Sequence, residues 1–176
     1  MRRLINFALA ATATATLAVP ANAALTVGAI APDFQTTGAI AGKAFKLHLA
    51  DQLKKGPVVL YFFPKAFTGG CTAEAHAFSE ATAEFRKAGA GVIGMSADDL
   101  PTLQRFSVEA CRNAFPVATA SPATIKAYDV KLPLMSMTNR TSYVIARDGR
   151  ITMVHSEMSW KDHVAKSLAA VQALQK

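Results

Sequence analysis

The chain has 176 residues, 51% of them hydrophobic and 18% charged, with a formal charge of +7. That length suits one domain with a real core, and so little charge excludes a disordered chain. Two cysteines exclude a disulfide-dense scaffold or a Cys-rich zinc module, and scattered basic residues without an aromatic stripe argue against nucleic-acid binding.

Arg2 and Arg3 precede an apolar, Ala/Thr-rich run from Leu4 to Val19. Pro20 breaks the run, and Ala21-Asn22-Ala23 follows. This is the layout of a secretory signal peptide cleaved after Ala23. The alternative is an uncleaved anchor, but the run is shorter than the ~20 residues a spanning helix needs. The expectation is a signal peptide over 1–23 and one domain over 24–176. The product would be periplasmic or secreted, with no stable membrane association.

Val58 to Phe63 is a continuous apolar, β-branched and aromatic run, the pattern of a central buried strand ended by Pro64. A loop over 65–70 leads into a helix from Thr72 to Lys87, where Phe78, Ala81 and Phe85 share a face. Gly89 and Gly91 stop it, and Val92 to Ser96 reads as a second buried strand. Asp98 or Asp99 can cap a helix running from Pro101 to about Asn113. Phe115 to Ala118 reads as extended, and Ser121-Pro122 opens a short helix through Ala127. Residues 130–139 have no clear period. Two strands, Thr141–Ala146 and Ile151–His155, flank an Asp148-Gly149 turn. Ser159 can cap a last helix from Trp160 to about Leu174. The alternation implies a three-layer α/β fold, a mixed central sheet flanked by helices. Its order resembles the thioredoxin fold.

Cys71 follows a strand and two glycines at the mouth of a helix. Unpaired N–H groups and partial positive charge there favour a thiolate. A buried structural cysteine is the alternative. The neighbours extend the pattern: Pro64, Thr68 and Cys71 form Pro-x-x-x-Thr-x-x-Cys in PKAFTGGC. This resembles the active-site signature of the peroxiredoxins. The longer VVLYFFPKAFTGGCTAEAHAF is similar to the peroxiredoxin Q (bacterioferritin comigratory protein) subfamily. The resemblance runs from Val27-Gly28-Ala29-Ile30-Ala31-Pro32-Asp33-Phe34 past Arg140.

The resemblance implies a thiol peroxidase acting on hydrogen peroxide and alkyl hydroperoxides. Cys71 would become a sulfenic acid. Thr68 would offer its hydroxyl to sulfur and peroxide, or simply cap the helix. Pro64 would shield the thiolate, or merely end the strand. Arg140 would reach Cys71 from elsewhere in the fold and stabilise the developing charge. Glu74 matches Cys-Thr-x-Glu, and would either orient Arg140 or complement the helix dipole. Many subfamily members carry a resolving cysteine five residues after the first, where this chain has His76. Cys111 is the other thiol, expected in the last turn of the Pro101–Asn113 helix. The resemblance makes it the resolving thiol, with the turn at Cys71 unwinding to let the sulfurs meet. A spectator thiol or a structural disulfide are the alternatives.

His48, His76, His155 and His163 show no ligand spacing, so no metal and no cofactor are expected. A thioredoxin-like protein would be the reductant, and a monomer the working unit. A thiol–disulfide oxidoreductase would need Cys-x-x-Cys, where Glu74 stands at the second position. A non-catalytic thioredoxin-like binding module would leave Thr68, Cys71 and Arg140 without a role. Phe67, Leu134, Met135 and Met137 either line a pocket for alkyl hydroperoxides or serve as core and lid.

Overall fold

The computed structural model describes residues 24–175, so the expected signal peptide lies outside the described residues. Among the described residues twelve elements follow in order: β1 (Gln35–Ile40), β2 (Lys43–His48), α1 (Leu49–Leu53), β3 (Val58–Phe62), α2 (Gly69–Lys87), β4 (Gly91–Ser96), α3 (Leu100–Glu109), β5 (Val117–Thr119), α4 (Pro122–Ala127), β6 (Thr141–Ile145), β7 (Ile151–Ser156) and α5 (His163–Ala173). No helix among the described residues is long and apolar enough to cross a membrane.

One seven-stranded sheet has the order β2-β1-β5-β4-β3-β6-β7. β3, β4 and β5 run parallel, while β6, β7, β1 and β2 pair antiparallel to their neighbours. This is the mixed sheet of a thioredoxin-like fold. Period-two alternation divides β3 between two cores. Val59, Tyr61 and the following Phe63 face Phe78 and Phe85 of α2, Phe106 of α3 and Val171 of α5. Val58, Leu60 and Phe62 face Leu49 and Leu53 of α1, Ile125 of α4 and Tyr128. All five β3 residues are buried, which is why the run is apolar without interruption.

Several boundaries differ from the sequence expectation. The β1–β2 hairpin and α1 were not foreseen. α2 starts at Gly69 rather than Thr72, so both glycines lie inside its first turn. α3 stops at Glu109 instead of running to Asn113, because Arg112 and Asn113 adopt left-handed φ of 51° and 59°. α5 begins at His163 behind Asp162, not behind Ser159. The expected caps Asp99 and Ser121 each accept a backbone N–H, from Thr102 and Thr124.

The topology brings distant segments together. β6 lies antiparallel to β3, with Thr141 opposite Phe62. Arg140 therefore sits beside the carboxyl end of β3, where the chain passes through Pro64 into α2. Ligand sites in sheets of this kind form at the carboxyl ends of the parallel strands.

Candidate active site

Cys71 is the third residue of α2, behind the N-cap Thr68. The residue is buried, with 2% exposure. The first-turn N–H groups of a helix lack intrahelical acceptors and carry partial positive charge. Gly70 lets a second positive group approach: a Cβ there would come 3.3 Å from Nη2 of Arg140. That same Nη2 donates to Cys71 Sγ at 3.4 Å, across 69 residues of sequence.

Arg140 is itself buried and held at every nitrogen. Nη1 donates to Oε2 of Glu74, and Nε donates to the Met158 carbonyl at 2.9 Å. Glu74 is fully buried, one helical turn after Cys71. Of its two expected roles, the pairing with Arg140 is the one present. Burial pushes the Glu74 carboxyl up to about 8, against the opposing pull of the Arg140 charge and hydrogen bond.

The loop before α2 is fixed from behind. Asp98 Oδ2 accepts from the Ala66 N–H and from Ser96 Oγ, both at 2.8 Å. Thr138 Oγ1 donates to the Phe63 carbonyl at 2.7 Å. Phe67 takes φ 64°, an uncommon conformation for a side chain of that size, and its ring lies edge-on to Phe106 at 5.2 Å. Pro64 is half-buried at the end of β3.

Thr68 departs from the expectation. Its backbone caps α2, but its side chain makes no cap hydrogen bond. The hydroxyl instead donates to the Lys65 carbonyl at 2.9 Å, and the residue is exposed. The apolar residues Phe67, Leu134 and Met135 are exposed rather than in the core.

Cys111 is also free and buried. It lies past the end of α3, not in its last turn, with its N–H bonded to the Phe106 carbonyl at 3.0 Å. Cys71 and Cys111 share one apolar cluster with Phe63, Phe78 and Phe106. Burial drives the Cys111 thiol far above the ordinary range.

The histidines are less scattered than their spacing implied. His76 is half-buried on α2. The rings of His155 and His163 lie 4.5 Å apart. His155 also groups with Glu157 and Asp162, but Lys166 Nζ stands 3.3 Å from its Nδ1, placing a cation among those acids. Asp98 and Thr138 hold the loop before α2, a role that sequence reasoning missed. Only Asp98 carried a signal, as one of two candidate helix caps.

The AhpC/TSA family profile matches residues 27–154. A Mycobacterium tuberculosis (strain CDC 1551 / Oshkosh) protein named as a peroxiredoxin is 35% identical over 127 residues, 69% of this chain and 82% of its own length. The chloroplastic peroxiredoxin Q of Oryza sativa subsp. japonica is 31% identical over 149 residues, 84% of this chain and 67% of its own. The crystal structure of peroxidoxin BcpB from Mycobacterium tuberculosis matches with a TM-score of 0.77 at 31% identity. That match covers 85% of this chain and 98% of the other.

Proposed function

The chain belongs to the AhpC/TSA family and is a thiol-dependent peroxidase; from that premise we propose that Cys71 is the thiol that meets peroxide. The contact of Arg140 Nη2 with Cys71 Sγ carries this assignment. A guanidinium fixed against a buried sulfur at a helix N-terminus serves a thiolate, whereas an inert core thiol needs no such partner.

In the proposed step the Cys71 thiolate attacks the hydroxyl oxygen of the peroxide. An S–O bond forms as the O–O bond breaks, sulfur loses two electrons, and the leaving hydroxide or alkoxide takes a proton from solvent. The products are a sulfenic acid and water or an alcohol. Arg140 stands where negative charge moves from sulfur to the leaving oxygen, so it stabilises both ends of the step. Thr68, whose exposed hydroxyl spends its proton on the Lys65 carbonyl, keeps acceptor capacity for the incoming peroxide. Glu74 and the Met158 carbonyl hold the guanidinium in plane.

Resolution is assigned to Cys111. Its thiolate would attack the sulfenic sulfur, the hydroxyl would leave as water after protonation, and a disulfide would form. Burial opposes ionisation of Cys111 in the closed fold, so the segment must open before it reacts. A thioredoxin-type dithiol would then reduce the disulfide. A dithiol exchange enzyme is disfavoured because Glu74, at the second position, is buried and paired with Arg140.

The test is intact mass of the reduced protein after one equivalent of hydrogen peroxide, repeated for Cys111→Ser. The expected results are loss of two hydrogens in the parent and one added oxygen at Cys71 in the variant. Oxygen addition in both overturns the role of Cys111. Absence of reaction overturns the role of Cys71.

We also propose that residues 1–23 direct export to the periplasm or outside the cell, on the strength of Arg2, Arg3, the apolar run and Ala21-Asn22-Ala23. N-terminal sequencing of the exported protein should begin at Ala24. The working unit is proposed to be a monomer, which sedimentation would test.

A further inference from the structure

Both supports of the Arg140 guanidinium lead back to one residue, His163. Glu74 on α2 holds Nη1, and the Met158 carbonyl after β7 holds Nε. His163 opens α5 and is fully buried. Its Nε2 lies 3.0 Å from the Glu157 carbonyl, one residue before Met158. A carbonyl only accepts, so Nε2 bears a proton. On the other side, Nδ1 lies 2.8 Å from Ser142 Oγ and 3.7 Å from Oε1 of Glu74. That Oε1 is buried without a hydrogen-bond partner, and buried carboxyl oxygens are ordinarily satisfied.

With Nε2 protonated, Nδ1 of the neutral imidazole is an acceptor: Ser142 Oγ donates to it at 2.8 Å, and Oε1 of Glu74 stands beside that bond at 3.7 Å without a partner of its own. Two electron-rich atoms so close repel, and a proton carried by either residue turns the repulsion into attraction. That proton can sit on Glu74 or on His163. In both forms the pair is neutral, and Arg140 keeps its full charge for Cys71. Once the proton is lost, the pair is an anion and competes with Cys71 for the guanidinium.

We infer that His163 is a positioning residue of the peroxide site, sharing one proton with Glu74 and so setting the charge that Arg140 presents to Cys71. This inference rests on the reading of Cys71 as the peroxide-reducing thiol. The charged and titratable groups facing His163 are Glu74 and, across Arg140, Cys71 from α2, Arg140 ahead of β6, His155 from β7 and Lys166 from α5 itself. Ser142 approaches from β6 as a neutral hydroxyl. Burial pushes His163 down to about 4, with the Glu157 carbonyl opposing and His155, Arg140 and Lys166 adding. Glu74 is pushed up to about 8, so near neutral pH the proton resides on Glu74 and is lost above it.

Two measurements test this. In the first, stopped-flow fluorescence of the single Trp160 follows the reaction with hydrogen peroxide across the pH range around 8, with each rate constant divided by the measured thiolate fraction. The wild-type value should fall through a step near pH 8. His163→Gln, which offers a neutral donor, should keep the neutral-pH rate within about threefold but move the step by about one pH unit. His163→Ala should lose about tenfold or more, in line with the 10–100-fold typical of residues that orient a site's direct contacts. A purely structural role would lower the melting temperature of both variants without moving the step. A step left in place in His163→Gln, or wild-type rates in His163→Ala, overturns the inference.

The second measurement needs no peroxide. The 15N shifts of the His163 ring should show the Nε2–H tautomer and respond near pH 8 in wild type but not in Glu74→Gln. A wild-type ring that ignores this titration overturns proton sharing. A ring that responds in a protein unreactive to peroxide supports it and sinks the parent reading of Cys71 alone.

Discussion

Arg140→Lys is the sharpest test of how the site holds its charge. Arg140 bonds three acceptors on two segments: Glu74 and Cys71 on α2, and the Met158 carbonyl after β7. A lysine brings one ammonium on a shorter reach, so it can satisfy one of them. A single ammonium cannot reproduce the fork that Glu74 and the Met158 carbonyl hold, and on its shorter reach it loses the sulfur. A hydrogen bond involving a charged group is worth about 1.5–3 kcal/mol. At about 1.4 kcal/mol per tenfold in rate, losing it at the reacting sulfur costs roughly 10- to 150-fold. Arg140→Met removes the charge altogether and should cost about 100- to 1,000-fold, the range seen when a transition-state donor is deleted. Glu74 is not stranded as an anion in that variant near neutral pH, because burial has already raised it to about 8. Both variants should therefore fold. The assay is the second-order rate constant with hydrogen peroxide, beside a thermal melt. A folded Arg140→Lys reacting within about threefold of wild type would refute the argument, because a rate that close is only about 0.65 kcal/mol, well under the smallest loss expected.

Three further outcomes follow from the same geometry. Gly70→Ala should raise the melting temperature, since alanine favours a helix over glycine by about 1 kcal/mol, yet slow the peroxide reaction severalfold, because its Cβ presses on Arg140 Nη2 at 3.3 Å; a faster or unchanged rate counts against it. Gly94→Ala should destabilise by about 1–3 kcal/mol in urea titration, since its Cβ would meet the ring of buried Tyr61 at 2.8 Å between two packed strands. Glu74 and His163 should pull stability in opposite directions with pH. Glu74, raised from 4.5 to about 8, keeps its proton better when folded, so its contribution is present below 4.5 and lost as pH rises to about 8. His163, lowered from 6.5 to about 4, contributes above 6.5 and loses that as pH falls to about 4. The two slopes cancel in the middle and leave a decline from about 6.5 to 8. Unfolding titrations of Glu74→Gln and His163→Gln should each remove one limb, and parallel curves in all three proteins would contradict it.

Much of this site was legible because its first contacts are local. Pro64, Thr68 and Cys71 lie within one strand–loop–helix passage, and an uninterrupted apolar β3 with a capped Ser121-Pro122 helix announces itself in single residues. The β1–β2 hairpin did not, because β2 is an edge strand: Lys43, Ala44 and Lys46 are exposed, so little alternation is written into it. Asp162 and His163 look like surface residues at the start of an amphipathic helix. What makes His163 a buried member of the site is the arrival of Ser142 from β6 and Glu74 from α2. No local pattern records such a meeting. Asp98 shows the same limit: next to Asp99 it reads as an alternative cap, while the fold uses one residue to cap α3 and the other to pin the loop before α2.

The helical composition of Ala110–Asn113 conceals the feature that bears most on Cys111. The segment leaves the helix through left-handed Arg112 and Asn113, and this turn carries Cys111 into the apolar cluster. A side chain in that conformation costs roughly 1–2 kcal/mol relative to its preferred basin, and asparagine tolerates it better than arginine. The strain exists only while the turn is closed, so it favours the opening that the proposed resolution requires. Arg112→Gly removes it. The substitution also removes an exposed ion pair with Glu80 at 3.1 Å, which contributes little. Opening should then cost about 1 kcal/mol more, and the open population should fall about fivefold. Formation of the Cys71–Cys111 disulfide after peroxide, timed by acid quench and mass spectrometry, should slow by the same factor, while the first oxidation of Cys71 keeps its rate. Hydrogen exchange at the Cys111 amide should slow in step. Slower exchange with an unchanged rate of disulfide formation would show that the sulfurs meet by another movement, such as unwinding of the first turn of α2.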